Sequence, residues 1–375
     1  MRKVKIARLL FSILLVWSLT GCYDRVDLED ASLSLVAGVD ITEDHRMLNY
    51  TSIPVFSKTE SKKSQELKVV TNTLRQGRGK LDAFTVGSFN GRKIKIIALS
   101  KRFVQEVPDW FRYMDIYFRD GRNPITPRVI VFDGPLDQLY YYHSPNQPIL
   151  PLMLMGMIKS SSNRSESVST TLQELHRQMN EEGQTPFMTQ MSIKQDAMID
   201  GTSLLDHKGK YVDTLSMPET TLLRVLQKNA GQSVGFSLHL PSSLTGSPAA
   251  ASDWISIATE RIKVKIDSAY AVGRFKYSVY VHVSASVVEK LSSLDLDDHQ
   301  QEAEVACAEE LRDKFEALIA KLQQKKVDPV GFGIYARAYH HKAFKQVKEN
   351  WGEAFGQSDV QVRVSVSFAD EGSVK

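Results

Sequence analysis

Tyr277-Ser278-Val279-Tyr280-Val281-His282-Val283 sets an apolar side chain at every second position, the two-residue period of a strand with one buried face. Two other stretches keep that period. Ile262, Val264 and Ile266 alternate with lysines, and Val360, Val362, Val364, Val366 and Phe368 alternate with polar residues. Three such runs predict an antiparallel sheet with one wet and one dry face. Between the second and third, Cys307, Leu311, Phe315, Leu318, Ile319 and Leu322 recur at spacings of three and four, the stripe of a long helix over 298–325. A second helix over 341–355 carries Phe344, Val347, Trp351 and Phe355 on one face. Laying the long helix across the dry side of the sheet gives an α+β C-terminal domain, residues 246–375.

Working back, 241–252 is rich in Ser, Pro, Gly and Ala and reads as a linker. Residues 33–40 read as a strand ending in a turn, 48–56 as its hairpin partner, and 57–68 as an exposed polar loop. The segment 69–75 reads as a helix broken by Gly77 and Gly79. A strand at 93–99 follows, then a helix over 102–118 interrupted at Pro108, a strand at 128–132 and a short helix at 135–142. That order predicts mixed α/β layering for an N-terminal domain, residues 22–197. Residues 159–170 hold seven serines and threonines and read as a mobile loop, followed by a helix over 169–179. Residues 197–205 read as strand, turn, strand. With Tyr211-Val212 and a helix over 218–226 they suggest a small middle domain, residues 198–245. The predicted class is therefore mixed α/β and α+β, multidomain.

The N-terminus is of a different kind. Arg2, Lys3, Lys5 and Arg8 precede an apolar run over 9–19, closed by Leu19-Thr20-Gly21-Cys22. The run falls short of the roughly 20 apolar residues that cross a bilayer but fits the apolar region of a secretory signal. Small residues followed at once by cysteine resemble a bacterial lipobox. In that pattern the Cys22 thiolate takes an S-diacylglyceryl group as a thioether, residues 1–21 are removed, and the new amino terminus is open to N-acylation. A thiolate is the side chain nucleophilic enough for this near neutral pH. Two acyl chains anchor stably where one binds only marginally. The expected product is a soluble body tethered outside the membrane through Cys22.

At 375 residues the chain has length for two or three domains. Its formal charge of +3 includes the four basic residues of the signal; the remaining 43 Lys and Arg face 44 Asp and Glu. A balance of −1 does not favour nucleic acid as a partner. Of the two cysteines, lipidation would consume Cys22, leaving Cys307 on the apolar stripe as a core thiol.

The sequence holds no His-Glu-x-x-His and no phosphate-binding glycine loop; Gly77-x-Gly79 marks a turn. His340 and His341 are adjacent, so on a helix they point to different sides and chelate poorly. His207, His239 and His282 are scattered. No metal, cofactor or catalytic residue is expected, and the protein is not read as an enzyme. Arg119-Asp120, after Trp110, Phe111, Tyr113, Tyr117 and Phe118, could form a ligand-binding ledge, although aromatics at helical spacing more often build core. Met153, Met155 and Met157 could form an adaptable contact surface or a core strand. The residues thus describe a membrane-tethered interaction protein without naming its partner.

Taken together, the motifs resemble the Ger(x)C family, the lipoprotein C subunits of spore germinant receptors. Gly21-Cys22-Tyr23-Asp24-Arg25 resembles the family's Gly-Cys-Trp-Asp-Arg start, with Tyr23 in place of Trp. Gly38-Val39-Asp40 corresponds to its Gly-Ile-Asp turn, and Arg119-Asp120 to its Arg-Asp pair. Gly201 to Leu205, Gly209 to Leu215 and Glu219-Thr220 match its Gly-x-Ala-x-Phe, Gly-x-Leu and Glu-Thr run, with Leu205 where Phe is usual. Ala98-Leu99-Ser100 stands where Ile-Gly-Glu is typical. Asp328-Pro329-Val330-Gly331-Phe332-Gly333, Trp351 and the last strand follow the family's ending. The resemblance implies three mixed α/β domains with no enzyme activity. It also implies a place on the outer face of the spore inner membrane, contact with two multipass membrane subunits, A and B, and a part in nutrient-triggered germination. Two alternatives carry different expectations. A solute-binding lipoprotein would capture the nutrient in a cleft, and a tethered cell-wall enzyme would depend on a particular Asp, Glu or His.

Overall fold

A computed structural model describes residues 31–55, 63–85, 87–143, 147–231, 233–245, 253–292 and 294–369. In chain order the first half contains β1 (Ala31–Leu33), β2 (Val36–Ile41), β3 (Met47–Pro54), β4 (Ser64–Thr71), α1 (Leu74–Asp82), β5 (Ser88–Asn90), β6 (Ile96–Ser100) and α2 (Lys101–Glu106). A 3-10 turn (Trp110–Met114), α3 (Asp115–Arg119), β7 (Arg128–Phe132), α4 (Leu136–Tyr140), α5 (Leu150–Asn163), α6 (Leu172–Met179) and β8 (Phe187–Ile193) follow. Then come β9 (Ala197–Leu205), β10 (Tyr211–Ser216) and α7 (Met217–Leu226).

The strands from β2 to β10, apart from β5, form one eight-stranded sheet in the order β10-β9-β8-β7-β6-β2-β3-β4. Its centre, β2-β6-β7-β8, is parallel, and antiparallel strands flank it on both sides. Central parallel strands are covered on both faces, so their sequences are continuously apolar. Ile96-Ile97-Ala98-Leu99 and Val129-Ile130-Val131-Phe132 are fully buried. Alternate residues enter different cores: Ile97, Leu99, Val129 and Val131 meet Phe103, Trp110 and Leu175. Ile96, Ala98, Ile130 and Phe132 meet Leu136, Tyr140 and Leu154 on the opposite face.

The second half contains β11 (Gly235–His239), α8 (Ser242–Thr245), β12 (Trp254–Ala271), β13 (Arg274–Lys290) and α9 (Leu296–Gln324). It ends with α10 (Phe332–Tyr339), α11 (His341–Val347), a 3-10 turn, α12 (Trp351–Gly356) and β14 (Asp359–Phe368). The sheet order is β11-β12-β13-β14. As expected, α9 buries Cys307, Leu311, Phe315, Leu318, Ile319 and Leu322 in one core with Tyr277, Val279, Val281 and Val283. The Cys307 thiol is free, and burial beside Glu304 and Glu310 pushes it up to about 12.

The mixed α+β class and the C-terminal sheet with its long helix stand as read; several elements do not. The C-terminal sheet is not wholly antiparallel. β14 pairs parallel to β13, with Val279 opposite Val362 and Val281 opposite Val364. The helices between them supply the long crossover that a parallel pair needs. β4 occupies the expected loop and helix over 64–71, because Val69 and Val70 pair with Asn49 and Leu48 of β3; the helix starts only after the Thr73 cap. Met153, Met155 and Met157 lie on α5, which also takes in 159–163 of the expected loop; its buried positions Leu150, Met153, Leu154, Ile158 and Ser161 have helical spacing. β9 runs unbroken through Gly201. Residues 198–245 form no separate layer: β9 and β10 extend the large sheet, whereas β11 joins the C-terminal one. The segment 241–252 starts as α8 and otherwise lies mostly outside the described residues.

Candidate functional site

Cys22, the residue singled out for lipidation, lies outside the described residues. Within them, three of the motifs stand where a site could form.

The first is the turn between α9 and α10. The Asp328 carboxylate is fully buried and gathers three donors: Gly331 N–H on Oδ1 at 2.8 Å, with Gly333 N–H and Trp351 Nε1–H on Oδ2, each at 2.9 Å. Burial pushes its pKa up to about 6, while the Gly333 and Trp351 donors pull the other way. The turn is also clamped by the first half of the chain. Thr185 N–H donates to the Asp328 carbonyl at 2.9 Å. Gln184 and Gln227 each donate through Nε2 to the Pro329 carbonyl at 2.8 Å. Gly183 lies directly on Gly333, so a Cβ on Gly183 would fall 2.6 Å from the Gly333 carbonyl carbon. Two ion pairs flank the contact, the part-buried Arg337–Glu181 at 2.7 Å and the exposed Lys348–Glu182 at 2.6 Å. Phe332 stacks on Phe355 at 5.4 Å, and its carbonyl accepts from the Tyr277 hydroxyl at 3.1 Å. This arrangement locks the two sheets together.

The second is Gly38-Val39-Asp40 at the end of β2. Asp40 Oδ1 accepts from Ser100 Oγ at 2.5 Å, Arg102 Nε at 2.6 Å and Ile41 N–H at 2.8 Å; Oδ2 accepts from Leu136 N–H at 3.0 Å. Gly38 passes under Tyr140, whose Oη would lie 2.7 Å from an added Cβ. The carboxyl ends of parallel strands are where open α/β sheets bind ligands. Here Asp40, Arg102 and the start of α4 fill that position themselves.

The third is an open cleft of about 560 Å³ between the start of α1 and the α3 region, lined by Arg75, Arg112, Tyr113, Arg119, Asp120 and Arg122 among others. Arg119 pairs with Asp115, and Asp120 pairs with Arg122 at 2.9 Å. That partner, together with the Arg122 backbone N–H, holds the Asp120 carboxyl far below the usual carboxylate range. The preceding aromatics divide: Trp110 is buried and donates to the Gly209 carbonyl at 2.6 Å, whereas Tyr113 is partly exposed at the cleft.

The structure does not bring the histidines together. His282 is hydrogen-bonded to Ser365 on the exposed face of the C-terminal sheet, His239 lies edge-on to Trp254, and His207 is exposed in a turn. His340 and His341 occupy the junction of α10 and α11. Among the described residues no group of three or more His, Cys, Asp or Glu could hold a metal. No helix there is long and apolar enough to cross a membrane. From sequence, Gly183 reads with Glu182 only as the stop of the helix over 169–179, and Asp328 only as part of a motif. The available signal was an acid set alone in a glycine-rich apolar turn, a setting that implies buried backbone donors.

Two family models match in tandem: the spore germination protein N-terminal domain over residues 24–193, and the spore germination B3/GerAC-like C-terminal domain over residues 200–372. The crystal structure of the GerBC protein has the same fold, with a TM-score of 0.55 at 16% sequence identity, covering 89% of this chain and 97% of that one. No curated protein matches the chain.

Proposed function

Since the chain belongs to the Ger(x)C family of spore germinant receptor C subunits, we propose that it is a membrane-anchored lipoprotein, held on the outer face of the spore inner membrane through Cys22. In this reading it serves nutrient-triggered germination by protein–protein contact with membrane subunits A and B, not by catalysis. The observation that carries it is the match of both family domains, in order, over nearly the whole chain. The lipobox Leu19-Thr20-Gly21-Cys22 supports the anchor. The filled position around Asp40 argues against capture of a solute there, and the interlock at Asp328 lets the body act as one rigid contact piece.

Replacing Cys22 by alanine is expected to move the protein from the membrane fraction to the soluble fraction and to weaken the nutrient response. Fractionation with quantitative detection checks this. A variant that stays fully membrane-bound would show that contacts other than the lipid, with partner subunits or with the membrane surface, hold it. Saturable binding of an amino acid or sugar to the chain beginning at Tyr23 would turn the reading toward solute capture.

A further inference from the structure

We propose that the arginine-lined cleft is a contact surface for the anionic phospholipid headgroups of the membrane to which the chain is anchored. The proposal rests on the anchoring reading above and adds to it an orientation and a second membrane contact.

The tether sets the reach. Cys22 precedes Ala31, the first residue of β1, by nine positions. An extended chain spans at most about 3.3–3.6 Å per residue, so the acyl group is held within roughly 30 Å of β1. β1 pairs with β5, Ala31 lying opposite Ser88. β5 in turn lies along α1: Phe89 N–H donates to Asp82 at 2.6 Å, and Arg78 reaches the Phe89 carbonyl at 3.5 Å. The first turn of that helix, with Leu74 and Arg75, walls the cleft. The tether therefore enters the body beside the helix that carries the cleft.

The charge fits the occupant. The body as a whole is nearly neutral, yet from Arg75 to Arg122 the sequence holds eleven Lys and Arg against five Asp and Glu. The cleft has four arginines against Asp115 and Asp120. Arg119 and Arg122 are each paired with one of those acids. Arg112 is 84% exposed with Asp109 at 3.5 Å, and Arg75 is exposed and forms no ion pair among the described residues. Guanidinium groups fit phosphate oxygens in a fixed, bidentate geometry. Tyr113 and Ile116 add an amphipathic and an apolar side chain to the same cleft, a combination suited to a membrane–water interface.

The test is flotation of the chain beginning at Tyr23, which keeps every described element but has no acyl group, with vesicles of phosphatidylcholine alone or mixed with phosphatidylglycerol. Binding is expected only to the mixed vesicles and is expected to fall with rising salt. The exposed pair Arg75→Ala/Arg112→Ala should weaken it by on the order of tenfold or more, since each cation near an anionic surface counts for several-fold in partitioning. The control pair Lys263→Ala/Lys265→Ala, on the exposed face of the C-terminal sheet, should bind as wild type. Equal binding to neutral vesicles, or equal loss with the lysine pair, would overturn the proposal. Absence of vesicle binding, with the arginine pair still needed for co-purification with a membrane protein, would overturn it in favour of an acidic protein partner. Because the assay contains neither acyl chain nor partner subunits, its failure would leave the anchoring through Cys22 standing. Conversely, a Cys22→Ala protein that stayed on membranes would not explain vesicle binding away.

Discussion

Asp328→Ala is expected to cost about 4 kcal/mol of stability. The substitution leaves the N–H groups of Gly331, Gly333 and Trp351 buried without their acceptor, and each unsatisfied buried donor costs roughly 1–3 kcal/mol before relaxation. That is a large share of the 5–15 kcal/mol typical of folded domains. Chemical denaturation followed by tryptophan fluorescence should show an earlier midpoint; an unchanged midpoint would mean that the turn tolerates water in place of the carboxylate. Asp328→Asn keeps the shape but sets an amide N–H against at least one donor, so an intermediate loss is expected. The pH dependence has a defined sign. The folded value, about 6, lies above the ordinary 3.8, so the folded state binds this proton more tightly. The group's contribution is fully present below about pH 4 and is lost as pH rises through 6. The wild-type advantage over the non-titrating Asn variant should therefore narrow from pH 4 to pH 6.

Gly183→Ala is the second large effect, acting from the other side of the same contact. Its new methyl group would lie 2.6–2.9 Å from three backbone atoms of Gly333 and Ile334, none of which can rotate away as a side chain would. Overpacking of this kind costs typically 1–3 kcal/mol, occasionally more, and here it also pries Thr185 and Gln184 from their acceptors at Asp328 and Pro329. A loss of about 3 kcal/mol is expected, with limited proteolysis cutting faster between the two sheets. Because Gly333→Ala disturbs the same contact, the double variant should lose less than the two single losses combined. Strict additivity would show that the two glycines do not share one interface.

The elements legible in the sequence were those whose burial pattern is local. The stripe from Cys307 to Leu322 and the alternation from Tyr277 to Val283 each report one buried face, and both stand. The strand at 128–132 was legible because apolar residues run unbroken where both faces are covered. What failed depended on distant partners. Nothing in Val360 to Phe368 says whether its neighbour runs parallel or antiparallel; the crossover through α9 to α12 decides that. β11 has only Phe236 and Leu238 inward and is a strand through its pairing with β12. The methionines at 153, 155 and 157 mimic a two-residue period, but the buried positions Leu150, Met153, Leu154, Ile158 and Ser161 follow helical spacing. The Asp328 turn could be quoted as a motif, yet its third donor, Trp351, and its clamp at Gly183 come from residues farther off in sequence.

The central claim, that this chain is a working subunit of a germinant receptor, is tested most directly by spores that lack it. Dipicolinate release would be followed after addition of separate nutrients and after a trigger that bypasses receptors. Loss of the response to one set of nutrients is expected, with the bypass response intact and the nutrient response restored by the full chain. An unchanged response to every nutrient, in spores that carry no other receptor of this family, would contradict it.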